Sequence, residues 1–480
     1  MIYGLGMVLS RAVSFIMLPI YTRYLTPADY GVLALVEMTL DFIAIVGGAQ
    51  LALGVFRFYH KTEGEAAKHQ VVSTSLMLVG LLYGAVAVLV LFTAPALADL
   101  IFGNRDHVVV IRIAALNLAA GSLLIVPLTF ARVKDRSLLF VGANLVKLVL
   151  ALCFNILFIV VLELGVVGIF LSSLISSAVV GGALVVWLVR AVGFRPSRTW
   201  TRNLLRYGLP LMGMQVATFM ATFSDRYFLQ ALSDEAVVGL YSLAYQFGFL
   251  LMMVGFTPMD MVWGPKRFEV AGQGDRDVQL ARGFVILNVL LLTTAVGIAL
   301  YVGDALRIMS TQAFHSAAQV VPLILVAYVL QGWASVQDIG ILIRERTHLL
   351  TLANVISAVV AVVGYAVLIP RYLEWGAASA TVLAFAVRYV LTYYFSQRLW
   401  PVRYRWMPVS VLVAWAVAIS GVGLILPQSG IVQSLALRTG LLALYFVGAW
   451  HLPVLSSGER AAARRMLSAA WLRMAPAGRG

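Results

Sequence analysis

Residues 70–93, QVVSTSLMLVGLLYGAVAVLVLFT, carry no charged side chain. As a helix, this stretch reaches about 36 Å, enough to cross the hydrocarbon layer of a bilayer. Backbone groups cannot stay unpaired in hydrocarbon, so a helix is the form such a run takes. Comparable runs lie before it at residues 1–22 and 30–56, and after it at 107–131, 138–162 and 165–189. Further along they recur at 207–232, 237–262, 283–303, 317–343, 350–369, 376–397, 407–426 and 439–455, giving fourteen predicted spans. The first begins at Met1 without the pattern of a cleaved leader, and is read as retained.

The composition agrees. Hydrophobic residues make up 61% of the 480 and charged residues 12%, whereas soluble domains run near 45–50% and about 25%. Such an apolar excess has to face lipid. The lone Cys153 excludes an internal disulfide or a cysteine-based metal cluster. The histidines (His60, His69, His107, His315, His348 and His451) show no paired ligand spacing. There is no phosphate-binding loop, and no stretch between spans is long enough for a soluble catalytic domain. These observations predict a protein that is not an enzyme and has no cofactor.

The net charge of +14 is explained by where it sits. With spans alternating in direction, one side collects 25 Lys and Arg, from Arg57, Lys61 and Lys68 through Arg195 and Arg276 to the arginines after Glu459. The other side has 5: Arg23, Arg105, Arg307, Arg371 and Arg438. The positive-inside rule makes the first side cytoplasmic and predicts both termini inside. Charge spread thinly over loops is a topology signal, and nucleic acid is excluded as a partner.

The chain also repeats itself. TRYLTPADYGVLAL from Thr22 lies over DRYFLQALSDEAVVGLYSL from Asp225, with a small insertion. VKDRS from Val133 lies over IRERT from Ile343, and Gly165 lies over Gly376. Six spans per copy is an even number, so both copies share one orientation. The expected architecture is all-α and polytopic: two six-helix bundles, residues 1–206 and 207–405, related by a pseudo-two-fold axis along the membrane normal. Spans thirteen and fourteen (406–455) and a basic cytoplasmic tail (456–480) follow.

LPIYTRYLTPADYGVLAL, joining the first two spans, and DRYFLQALSDEAVVGLYSLAYQFG, joining the seventh and eighth, resemble the polysaccharide transporter family. These are O-antigen and capsule repeat-unit flippases of the multidrug/oligosaccharidyl-lipid/polysaccharide exporter superfamily, and the resemblance covers essentially the whole chain. It implies translocation of an undecaprenyl-pyrophosphate-linked oligosaccharide from the cytoplasmic to the periplasmic leaflet of a bacterial inner membrane by alternating access. It implies membrane lipid as a second ligand, and polysaccharide polymerase and chain-length proteins as partners. Spans thirteen and fourteen resemble the extra pair of lipid II flippases, which is associated there with a groove for the lipid tail. The arginine pattern of those flippases is not evident here. The absence of polar residues ahead of the first span departs from the family pattern, as a start codon further upstream would explain.

A flippase of this kind needs a wet, polar cavity for the sugar head, because unsatisfied polar groups are costly in hydrocarbon. Charges inside spans are the candidates to line it. Arg11, Lys147 and Arg388 lie near mid-span, and Arg226 lies nearer the periplasmic face. Together they form the expected cationic, substrate-binding wall. Arg11 has an internal partner at similar depth in Asp41, whereas Lys147 and Arg388 have none nearby in sequence. Asp225 and Arg226, being consecutive, are expected to point about 100° apart and not to pair. Glu37 and Asp41 lie four apart on one helix face and are candidates for ion coupling. Pro19 and Pro210 interrupt the first span of each copy and are candidate gating kinks. Tyr227, Tyr241, Tyr245, Tyr389 and Tyr393 are candidates to stack on sugar rings. The competing readings are a multidrug cation antiporter of the same superfamily, whose cavity would be acidic and aromatic, and a lipid II flippase.

Overall fold

In a computed structural model the described residues are 17–48, 50–426 and 430–453, excepting the side chains at 214, 217 and 221. Every regular element among them is a helix. In chain order they are α1 (17–24), α2 (Pro27–Gly48), α3 (Leu51–Lys61), α4 (Glu65–Phe102), α5 (Val108–Val133), α6 (Ser137–Asn155), α7 (Gly165–Val192), α8 (Arg198–Phe223) and α9 (Asp225–Leu232). There follow α10 (Glu235–Leu251), α11 (Thr257–Ala271), α12 (Arg276–Met309), α13 (Val321–Gln337), α14 (Ile339–Ile343), α15 (His348–Leu399), α16 (Trp406–Ile425) and α17 (Ile431–His451). Arg11 and the basic tail lie outside the described residues, as does most of the first expected span.

The signature segments read as helix starts. In Thr26-Pro27-Ala28-Asp29 the Thr26 backbone N–H and hydroxyl both donate to Asp29 Oδ2, at 2.9 and 2.7 Å. The Asp29 N–H donates back to Thr26 Oγ1 at 3.1 Å. This is a reciprocal capping box with proline in the first turn, which fixes where α2 begins. In the second copy the Val237 N–H donates to Asp234 Oδ1 at 2.9 Å and fixes the start of α10.

Eleven described stretches are long and apolar enough to span a bilayer, against fourteen expected, and each difference has its own cause. The first expected span is mostly outside the described residues. The stretch α8–α9 is interrupted at Ser224 and begins with Arg198, Arg202 and Arg206. The 52-residue α15 counts once, although its length far exceeds a bilayer. It reverses at Leu373, whose φ of 47° and ψ of −124° are non-helical. The two limbs then run antiparallel: Tyr365 Oη meets Thr381 Oγ1 at 3.0 Å, and Ser357 Oγ donates to the Ala384 carbonyl at 2.8 Å. These limbs coincide with the stretches expected as separate spans at 350–369 and 376–397.

The chain divides into two compact units. The first holds residues up to Ala244 with Met309–Val320 and Asn354–Ala384. Its core packs Leu51, Val55, Val72, Val79, Val126, Leu188 and Leu204 from α3, α4, α5, α7 and α8. The hydroxyls of the opening stretch serve that packing. Ser73 and Thr74 are fully buried and accept the N–H groups of Arg195 and Ser197 at 2.7 and 2.9 Å, satisfying the turn between α7 and α8.

The second unit holds Tyr245–Ile308, Val321–Ala353 and the chain from Phe385. Here Trp333, Trp406, Phe284 and Tyr393 pack edge to face, and Trp333 Nε1 donates to the buried Asn288 Oδ1 at 2.6 Å. The last helix starts eight residues before the expected 439. Arg438 is therefore inside α17, not in a loop, and pairs with the buried Asp304 at 2.7 Å.

Orientation is a separate expectation. Reporter fusions in the turns at Arg195 and Gln273 should signal from the cytoplasm, and those at Asn104 and Thr311 from the periplasm. A periplasmic signal at Arg195 would overturn the assignment.

Candidate functional site

The first unit encloses a cavity of about 470 Å³ walled by α2, α4, α5, α6 and α7. Glu37 and Asp41 stand one turn apart on α2 and both line it with Leu40, while Leu35 and Val36 turn into the core. Lys147 of α6 lines the same cavity. Tyr83, Asn117, Ser122, Ser173 and Ser177 complete its polar wall. The α2–α4 contact beside it is tight, because a Cβ at Gly47 or Gly48 would run into Val86 or Tyr83.

Among the described residues no hydrogen bond or ion pair satisfies Glu37, Asp41 or Lys147. Uncompensated charge at that depth is costly unless water reaches it. Among the described residues the cavity thus carries two acidic groups and one basic group. It can take an anion or polar sugar hydroxyls beside Lys147, and a cation or proton beside the carboxylates.

The other sequence candidates lie elsewhere. Arg226 is fully buried and pairs with Asp225 at 2.8 Å, which corrects the expectation that the two do not meet. Asp225 opens α9 after α8 closes at Phe223. There its Oδ1 accepts both the Arg226 backbone N–H at 3.0 Å and the guanidinium. Its Oδ2 accepts the Tyr241 hydroxyl at 2.7 Å, and the guanidinium lies over the Phe223 and Tyr241 rings. Arg226 lines none of the cavities described here.

Arg388 lies half-buried on α15 in the second unit, within electrostatic reach of Asp338. Asp338 pairs with Arg267 at 2.7 Å. Arg388 therefore has a nearby carboxylate that sequence distance concealed. Pro19 sits in α1, and Pro210 within the uninterrupted α8. Tyr227 meets Thr39 at 2.9 Å beside a second cavity of about 710 Å³ in the first unit. Tyr245 packs against Tyr328 and Phe249, while Tyr389 and Tyr393 join the ring cluster of the second unit.

The polar wall was not singled out from sequence. Its signal was there in Ser173 and Ser177, four apart in an otherwise apolar span, and in Asn117 and Ser122. The second unit also holds an apolar groove of about 460 Å³ between α12, α13 and α16, lined by Val296, Leu325, Trp333, Val417 and their neighbours.

The fold is shared with solved transporters. The lipid II flippase MurJ, in an inward closed conformation, superposes with a TM-score of 0.75 at 11% identity, covering 92% of this chain and 97% of that one. An inward-facing multidrug resistance MATE family transporter of the MOP superfamily gives 0.62 at 17% identity, covering 84% and 96%. A MOP superfamily transporter from Pyrococcus furiosus, described as having a binding pocket of reverse polarity, gives 0.54 at 17%, covering 85% and 94%. No curated protein sequence matches the chain. The profile of the polysaccharide biosynthesis protein family matches residues 1–268, more than half of the 480, and the chain belongs to that family.

Proposed function

We propose that the protein is a flippase that carries an undecaprenyl-pyrophosphate-linked oligosaccharide repeat unit from the cytoplasmic to the periplasmic leaflet by alternating access. The observation that carries this reading is Lys147, an amine with no protein partner among the described residues, facing a cavity lined by hydroxyls and an amide. A pyrophosphate-linked sugar needs those groups: a fixed cation for its charge and small polar side chains for its hydroxyls. The prenyl tail needs continuous apolar surface, and the second unit by itself holds a groove of that kind beside α16. Family membership and the shared transporter fold support the same reading. The polysaccharide polymerase and chain-length proteins are its proposed partners, and a bacterial inner membrane with both termini cytoplasmic its proposed setting. In this scheme Arg388 is a second contact for the head, and Glu37 with Asp41 takes the coupling ion.

The two carboxylates favour one other reading, an antiporter of organic cations. Titrating the purified protein with polyprenyl-pyrophosphate oligosaccharide and, separately, with an organic cation distinguishes them. The flippase reading expects saturable binding of the lipid-linked sugar that weakens in Lys147→Ala. Binding of the cation alone, lost in Glu37→Gln, would support the antiporter.

A further inference from the structure

The two signature segments touch each other inside the first unit, and the contact is reciprocal. A Cβ on Gly31 would fall on the Glu235 carbonyl oxygen, and a Cβ on Gly239 on the Pro27 carbonyl oxygen. Each glycine faces the residue four before the other glycine. Residue i meeting j while the equivalent of j meets the equivalent of i is the mark of a two-fold contact. The glycines themselves correspond in the repeat, as the first residues of GVLAL and GLYSL. The first turns of α2 and α10 therefore cross backbone to backbone at the expected pseudo-two-fold axis, at a point where no side chain fits.

Described fastenings hold this crossing on two sides. His107 Nε2 lies 3.3 Å from Glu235 Oε1, with both side chains only about a quarter exposed. The segment Met309–Val320 straps across the start of α2. Thr22 Oγ1 donates to the Met309 carbonyl at 2.9 Å, Thr311 Oγ1 donates to the Thr22 carbonyl at 3.3 Å, and the buried Phe314 packs edge-on to Tyr30. All these residues belong to the end that the charge count assigns to the periplasm. Two smooth glycine faces can part without unthreading interlocked side chains.

We propose that the Gly31–Gly239 crossing, bridged by His107 and Glu235 and strapped by Met309–Val320, is the outer gate of the transporter, closed in this structure, and that it must part to release the head group. The proposal rests on the flippase reading for the identity of the cargo, but not for the opening itself. Gly31 and Gly239 permit the seal, and His107, Glu235 and Phe314 hold it.

The test uses full-length protein in liposomes, with the exposed Cys153 replaced in a Cys153→Ser background. A His107→Cys/Glu235→Cys pair, bridged by a short thiol-reactive crosslinker, should reduce translocation of polyprenyl-pyrophosphate oligosaccharide to the rate of protein-free liposomes, and cleaving the crosslinker should restore it. Crosslinked protein that still translocates at the uncrosslinked rate would overturn the gate. If the Cys153→Ser parent moves no lipid-linked sugar, the flippase reading fails, and a second arm that needs no substrate decides the gate. Ser173→Cys on the cavity wall should react slowly with a membrane-impermeant thiol reagent added from the periplasmic side. Adding Gly31→Ala or Gly239→Ala, which wedges the seam, should accelerate that labelling several-fold. Labelling unchanged by either wedge would mean that the crossing is static packing.

Discussion

Asp225→Ala is expected to destabilise the protein by about 3–5 kcal/mol, the usual cost of removing one partner from a buried ion pair. The variant would leave the fully buried Arg226 guanidinium without the Asp225 carboxylate and take the acceptor from the Tyr241 hydroxyl. Arg226→Ala should cost a similar amount, through the buried carboxylate left behind. Replacing both residues by apolar ones should recover much of the loss, because the pair's attraction is largely offset by its desolvation. Thermal unfolding in detergent, together with the amount of folded protein in membranes, checks all three variants. Full stability in Asp225→Ala would mean that the pair is not a structural anchor.

Lys147→Ala should have the opposite profile, with transport lost and the fold retained. Its amine has no ion-pair partner among the described residues, so removing it breaks no described ion pair. The proposed cargo, by contrast, loses its fixed cation in that cavity. Translocation is expected to fall by at least about ten-fold, equivalent to about 1.4 kcal/mol, at unchanged protein level. Lys147→Arg should retain part of the activity. Arg388→Ala should act in the same direction, and Arg388→Lys should rescue only partly because the planar fork is lost. A Lys147→Ala protein that transports normally would remove this cavity from the pathway.

Much of the fold was legible because spans announce themselves by composition. Residues 70–93 needed no partner to be read as a helix. The pair at 350–369 and 376–397 was separable because Arg371 and Glu374 interrupt the apolar run, close to where the chain reverses at Leu373. The site was less legible, because burial and pairing are properties of depth and neighbours. Asp225 and Arg226 were judged by mid-helix geometry, yet they open a helix, where a carboxylate can serve the next residue's backbone and side chain together. Arg438 was counted with a loop because the last span was expected to begin at 439, just after it. Ser434 donates to Asp304 at 2.9 Å and helps bury the pair. The Asp338 carboxylate near Arg388 lies 50 residues away in sequence (388 − 338), beyond the reach of any spacing rule. Lys147, Glu37 and Asp41 were each recognised by intramembrane charge. That they share one cavity became visible only in three dimensions.

The central claim is that an anionic, lipid-linked head crosses through this protein past fixed cations. Two uncompensated negative charges moving outward across 100 mV, negative inside, gain on the order of 4–5 kcal/mol. Cations that travelled with the head would cancel that gain, whereas a fixed Lys147 preserves it and lowers the barrier to entry. The direct measurement is the flux of polyprenyl-pyrophosphate oligosaccharide between leaflets of proteoliposomes under an imposed potential, with pH and sodium equal on both sides. The account predicts flux that requires the protein, rises when the receiving side is positive, and falls when the sign is reversed. Flux no greater than in protein-free liposomes, or flux indifferent to the sign of the potential, would contradict it.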